Sequence, residues 1–276
     1  RFCYKKMNKI KIKSPAKINL FLRVLEENDS GYHNIETSFQ YVDLYDLMSF
    51  ELIDEGIKIR SNKAFLENKD NTIYKSAKLL LDMLDHKIGV NISIEKNIPI
   101  GAGLGGGSSN AASTISVLNK LWNLNLTKDV LMETAIKIGA DVPFFVNGEN
   151  AYGKGIGEKL ETRESIKNKI LLIYPEIHNS SESMFNLLDA QRKNNNNIKH
   201  HMQNDFWNVF LSENKKIKNF YEANKNYEIK LSGSGSCMYI FYEKENDIKE
   251  ILKKIPSNWR FFFCKPLQYS PICYIK

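Results

Sequence analysis

The chain is 276 residues long, enough for one large domain or two smaller ones with a proper core. With 42% hydrophobic and 26% charged residues it reads as a soluble globular protein, and apolar runs such as ILLIY at 170–174 fall far short of the roughly 18 residues of a membrane span. The formal charge of +7 is compatible with an anionic partner, but the cations are interleaved with Glu and Asp rather than gathered in one arm, and heavy use of Lys, Asn and Ile also follows from A- and T-rich codons.

The amino-terminal RFCYKKMNKIKIK is basic without an apolar h-region or a cleavage pattern, so it does not read as a secretory signal, and Met7 is a candidate start. From Lys9 to Phe50 the pattern is strand-like, with INLFLRVL and IETSFQYV separated by the turn-rich ENDSGYHN around Gly31. In NTIYKSAKLLLDMLD, Ile73, Ala77, Leu80, Leu81 and Leu84 share one helical face, and Asn71 is placed to cap it. GVNISIE alternates Val90, Ile92 and Ile94 as a strand does. After a glycine-rich stretch, Ala112, Ile115, Leu118, Leu121 and Trp122 mark a helix expected from Ser108. A further helix is expected over Lys128 to Ile138, stopped by Gly139.

Next, ADVPFFVNGENAYGKGIGEKL mixes apolar strand character with glycines. The pattern restarts at the strand KILLIYP, followed by a helical region, the polar KNNNN read as an exposed loop, more helix, and the strands YEIKLSG and CMYIFYE. A domain boundary is expected between 162 and 163. Cys3, Cys237, Cys264 and Cys273 show no CxxC pairing and no metal-ligand spacing with His33, His86, His178, His200 or His201, which points to reduced thiols in the cytoplasm.

The stretch IPIGAGLGGGSSNAAS, Ile98 to Ser113, places five glycines and then the paired Ser108 and Ser109 at the mouth of a helix. Exposed amides and a helix N-terminus suit phosphate. The P-loop pattern fails because no Lys follows the glycines. The dinucleotide pattern GxGxxG matches Gly101, Gly103 and Gly106, but KNIP separates them from the preceding strand. The added Gly105 and Gly107, then Ser108 and Ser109, describe a longer loop able to wrap a triphosphate. A flexible linker is the competing reading.

These residues resemble the kinases of galactose, homoserine, mevalonate and phosphomevalonate, and within them the branch that takes a cytidylyl substrate. The segments SPAKINLFL at 14–22, GYHNIET at 31–37, IPIGAGLGGGSSNAA at 98–112, GADVPFFVNG at 139–148 and LSGSGSC at 231–237 carry the likeness in the expected order. PAKINL with GYH singles out the cytidylyl branch. Between 186 and 230 little matches beyond QNDFW.

The resemblance implies a two-domain α+β kinase, with an ATP-binding domain over 1–162, a second domain over 163–276, and the active site in the cleft between them. It nominates Lys17 and Asp141 as catalytic. Asp141 before Val142 and Pro143 is equally a helix cap, and Lys17 in a strand is equally a solvated edge lysine. ATP contacts are expected from Pro99, Ile100, Gly101, Ala102, Gly103, Leu104, Gly105, Gly106, Gly107, Ser108 and Ser109, and at the adenine from Asn71 and Lys96. Substrate contacts are expected from Asn19, from Tyr32 and Phe185 around the cytosine, from His33 at the base edge, and from Gly233, Ser234 and Gly235 at the diphosphate. Phe185 is equally a core residue of SMFNLLD. Mg2+ is expected with ATP, with no protein ligand assigned. No nucleic acid or membrane partner is expected, and the chain is expected as a monomer or homodimer. Another kinase of the same superfamily, or a basic RNA-binding module, are the alternatives.

Overall fold

The structure, a computed structural model, describes residues 9–29, 31–194, 200–201 and 203–274. Met7, Cys3 and most of the asparagine run fall outside them.

Two long antiparallel strands, β1 (Lys9–Glu27) and β2 (His33–Ile53), form the spine. The second of them also pairs with β4 (Gly89–Glu95) and later with β5 (Ala151–Lys154). With β3 (Gly56–Ser61) parallel to β4, and β6 (Lys159–Thr162) beside β5, they make a six-stranded sheet. Helices α1 (Thr72–Leu81) and α2 (Gly106–Leu121) bury Ile73, Ala77, Leu80, Val117, Leu118 and Leu121 with Val90, Ile92 and Ile94 of β4. The sequence periodicity marks both sides of this core. The expected helix cap is present, since the Asn71 side chain accepts from the Ile73 amide at 2.9 Å.

Helix α3 (Lys128–Ile136) is followed by α4 (Val142–Asn147), where strand character was expected. Pro143 in its first turn favours helix, and Val142, Phe144 and Phe145 all bury on the core with Phe39 and Tyr41. Five successive apolar residues, Val142 to Val146, carry no readable period.

The second sheet has the order β10-β7-β9-β8, with β7 (Lys169–Tyr174), β8 (Lys230–Leu231), β9 (Met238–Tyr242) and β10 (Arg260–Cys264) all antiparallel. The expected strand YEIKLSG shrinks to two residues, and β10 has no counterpart in the sequence reading. Helices α5 (Ser181–Asn194), α6 (Trp207–Glu213), α7 (Lys215–Glu222) and α8 (Lys249–Leu252) accompany this sheet. Leu171, Ile173, Met238 and Ile240 bury against Leu188, Phe210, Ile217 and Ile251 of those helices. Its other face, through Ile170, Leu172, Tyr239 and Cys264, packs with Ala16, Ile18, Ala102 and Leu104, which fuses the halves and seats the glycine loop between them.

Candidate active site

The loop from Gly101 to Gly105 alternates glycine with buried Ala102 and Leu104, so its apolar residues anchor it while the glycines set its course. Gly101, Gly103 and Gly105 have φ of 63°, 73° and 67°, and such alternation gathers successive N–H groups into a concave nest. The carbonyls are held away from that nest. Gly101 accepts from the Asn179 amide at 2.9 Å, Ala102 from the Cys237 amide at 3.0 Å, Gly103 from the Ser232 hydroxyl at 3.0 Å and Leu104 from the Lys17 amide at 3.0 Å. Among the described residues, no amide from Gly103 to Ser108 donates to another protein group. Those amides lead into the positive end of α2, which is the electrostatic requirement for binding phosphate.

Strand β1 brings Lys17 beneath this loop. Its ammonium is buried, donates to Asn19 Oδ1 at 2.6 Å and lies 3.4 Å from Asp141 Oδ2. Lys17 is therefore no solvated edge residue. Asp141 occupies the cap position of α4 yet makes no side-chain cap hydrogen bond, so its carboxylate is turned to the lysine rather than spent on the helix. Asn19 in turn donates to the Thr37 hydroxyl at 2.8 Å, which fixes the amide that orients Lys17.

Beneath the loop lies a fully buried carboxylate, Asp46. It accepts from the Lys96 ammonium, from the Asn97 and Ile98 amides at 2.8 and 2.9 Å, and from Asn110 Nδ2 at 2.9 Å. Burial pulls the Lys96 amine below its ordinary range, while the Asp46 carboxylate opposes that shift. Lys96 is thus half of a buried pair at the root of the loop, and it also lines the cleft. Asn71 is similarly occupied: besides capping α1 it donates to the Leu66 carbonyl at 2.7 Å. Of the two serines, Ser108 lines the cleft, whereas the Ser109 hydroxyl is fully buried on Ser14 at 2.8 Å. The expectation that Ser109 offers its hydroxyl to ATP is corrected by that position on the inner face of α2.

One cleft of about 1070 Å3 holds Lys17, Asn19, Tyr32, His33, Asn71, Lys96, the loop from Pro99 to Ser108, Asp141, Phe185, Gly233 and Ser234 in its walls. Gly235 is not among its lining residues, because its amide turns back to the Ser232 carbonyl at 3.0 Å. His33 also departs from expectation. Its Nδ1 meets the Leu25 carbonyl and its Nε2 meets Asp189 Oδ2, each at 3.0 Å, so neither ring nitrogen is left for a base edge. Phe185 stacks on that imidazole at 5.2 Å between centroids and is half-buried, packed against the core of the second half while also lining the cleft.

Sequence reasoning missed Asp46, Asn179, Asp189 and Asn204. Asn204 donates to the Leu231 and Gly233 carbonyls at 3.0 and 2.9 Å and so supports the second glycine turn. An acidic residue inside the apolar stretch YDLMSF was the available signal for Asp46.

Residues 71–149 match the GHMP kinases N terminal domain and residues 186–260 match the GHMP kinases C terminal domain. A protein of Marinomonas sp. (strain MWYL1) named 4-diphosphocytidyl-2-C-methyl-D-erythritol kinase is 36% identical over 273 residues, covering 96% of this chain and 90% of its own. A protein of the same name from Francisella philomiragia is 36% identical over 278 residues, covering 96% of this chain and all of its own length. A crystal structure of 4-(cytidine 5'-diphospho)-2C-methyl-D-erythritol kinase superposes with a TM-score of 0.75 at 25% identity, covering 93% of this chain and 99% of that one. Homoserine kinase from Cytophaga hutchinsonii shares the fold, with a TM-score of 0.71 at 15% identity over 97% of this chain and 98% of its own.

Proposed function

The chain belongs to the GHMP kinases, in the family of the 4-diphosphocytidyl-2-C-methyl-D-erythritol kinases, and we propose that it moves the γ-phosphoryl group of ATP to the 2-hydroxyl of 4-diphosphocytidyl-2-C-methyl-D-erythritol. ATP-dependent phosphorylation in isoprenoid biosynthesis is the activity that goes with this family. The observation that carries the reading is the Lys17–Asp141 pair, set in one cleft with a loop whose amides are unspent.

Phosphoryl transfer asks the protein mainly to align nucleophile and phosphate and to neutralise charge spread over the phosphate oxygens. The amides from Gly103 to Ser108 cradle the triphosphate. Asp141 orients the attacking hydroxyl and takes its proton, while Lys17, held by Asn19, keeps that carboxylate in place and balances the moving phosphoryl. Magnesium would arrive on the ATP phosphates and keep several of its waters. Ser108 and Asp141 are oxygen donors of the cleft wall that suit such a hard cation, and bound magnesium would supply charge neutralisation and orientation.

At the substrate end, Tyr32 and Phe185 would take the cytosine and the Gly233–Ser234 backbone the diphosphate. The division into an ATP-binding domain to residue 162 and a second domain from 163 belongs to the proposal; the first sheet's last strand ends at Thr162 and the second sheet starts at Lys169. A cytoplasmic setting is also proposed, supported by the free thiols of Cys237, Cys264 and Cys273. No helix among the described residues is long and apolar enough to cross a membrane.

The test is turnover with magnesium and ATP, read as ADP release and by 31P NMR of the product, beside galactose, homoserine and mevalonate. Preferred use of the cytidylyl alcohol is expected. A better rate with any of the three others would overturn the substrate assignment.

A further inference from the structure

We infer that Asp189 is a positioning residue for the cytosine site, acting through His33 to hold the ring of Phe185 in place. The inference rests on the cytidylyl substrate proposed above and adds a residue and a role to it.

Helix α5 carries Phe185 and Asp189 four residues apart, hence on one face. Both reach the β1–β2 hairpin on the opposite side of the cleft. There they meet one side chain. The His33 imidazole lies nearly parallel to the Phe185 ring, 5° between planes, and Asp189 Oδ2 stands 3.0 Å from Nε2. On its far side the Leu25 carbonyl, also 3.0 Å away, takes the Nδ1 proton. Both partners are acceptors, so each ring nitrogen donates a proton in this arrangement, and a ring bonded at both nitrogens cannot spin or tilt about χ2 without losing one bond; its plane is fixed. The Phe185 ring lies on that plane and is met at its edge by Phe206, at 4.9 Å and 86°.

Phe185 still lines the cleft, so the surface left open by His33 and Phe206 is what a ligand meets. A ring fixed before binding loses less freedom when a base stacks on it, which lowers KM without touching the chemistry. This assigns the imidazole to backing the stack rather than reading the base. Asp189 can be changed without undocking the helix. One turn on, Arg192 Nη2 donates to the Val24 carbonyl at 2.9 Å and to Asp205 Oδ2 at 3.0 Å, an anchor between α5 and β1 that does not involve Asp189.

The experiment compares wild-type protein, Asp189→Ala and Asp189→Asn, measuring KM for each substrate, kcat and thermal stability. Asp189→Ala is expected to raise KM for the cytidylyl alcohol about fivefold or more, with KM for ATP and kcat close to wild type. Asp189→Asn should recover most of the loss, because its amide donates to the Nε2 lone pair of an imidazole whose Nδ1 proton is already given to Leu25. An unchanged KM in a folded Asp189→Ala, equal weakening of both substrates, or no recovery in Asp189→Asn would each overturn the inference. Wild-type protein that does not use the cytidylyl alcohol would remove the substrate assignment, and this inference with it. Normal wild-type turnover with an unmoved variant removes the inference alone.

Discussion

A Cβ added to Gly107 would meet nothing nearer than the Thr72 hydroxyl, 3.9 Å away, whereas one added to Gly103 would sit 2.0 Å from the Ser232 carbonyl oxygen. Protein packing demands glycine at the second position and leaves the first open. A glycine in the first turn of a helix that its own fold does not require is consistent with the proposed phosphate pressed against the backbone.

Gly107→Ala should therefore leave the fold as stable as before, or steadier by about 0.5–1 kcal/mol, since alanine is the better helix former. ATP affinity should nonetheless fall about tenfold or more. Calorimetric titration beside a melting curve checks both. Undiminished ATP binding would place the phosphates elsewhere.

Gly103→Ala should do the opposite. With φ at 73° and the Ser232 carbonyl in the way, the variant should lose about 2 kcal/mol or more of stability in a denaturant titration. The same limit applies to Gly105, whose Cβ would strike the Phe145 ring at 2.8 Å, so lost ATP binding in a Gly105→Val variant would report broken packing rather than ligand contact.

The Asp46–Lys96 pair predicts a separation of stability from binding. Asp46→Ala strands a buried ammonium and should lose about 3–5 kcal/mol. Replacing both partners with apolar residues, Asp46→Leu with Lys96→Met, should restore part of that stability by removing the stranded charge, while ATP binding stays impaired because the Asn97 and Ile98 amides and Asn110 have lost their acceptor. A double variant that is no steadier than the single one would contradict this.

Phe185→Leu keeps apolar volume and loses the π face. KM for the cytidylyl alcohol should rise roughly tenfold while KM for ATP holds. Parallel rises, or unfolding, would return Phe185 to a purely structural part.

Much of the first half was legible because its elements obey simple periods. Val90, Ile92 and Ile94 alternate, Ile73, Ala77 and Leu80 recur every three or four residues, and Asn71 announces its helix. Where a segment is apolar on both faces the signal vanished: Val142 to Phe145, buried all round, reads as strand or helix alike, and the edge strand β10, with exposed Phe261 and Phe263 flanking Phe262, has neither period. The residues brought to the cleft came mostly from motifs, which mark side chains that act but not those that hold them. Asp46, Asp189 and Asn204 are isolated polar residues with partners 27 to 156 positions away, and only the folded chain joins them. His33 shows the converse, a motif residue whose ring is consumed by the protein itself.

The measurement closest to the central claim is single-turnover phosphoryl transfer by Asp141→Asn, run beside ATP binding and a melting curve. The side chain keeps its shape and loses the charge that faces Lys17 at 3.4 Å. The rate should fall by roughly 100-fold or more while ATP affinity and melting temperature stay near wild type. A wild-type rate in this variant would contradict the catalytic reading of the Lys17–Asp141 pair.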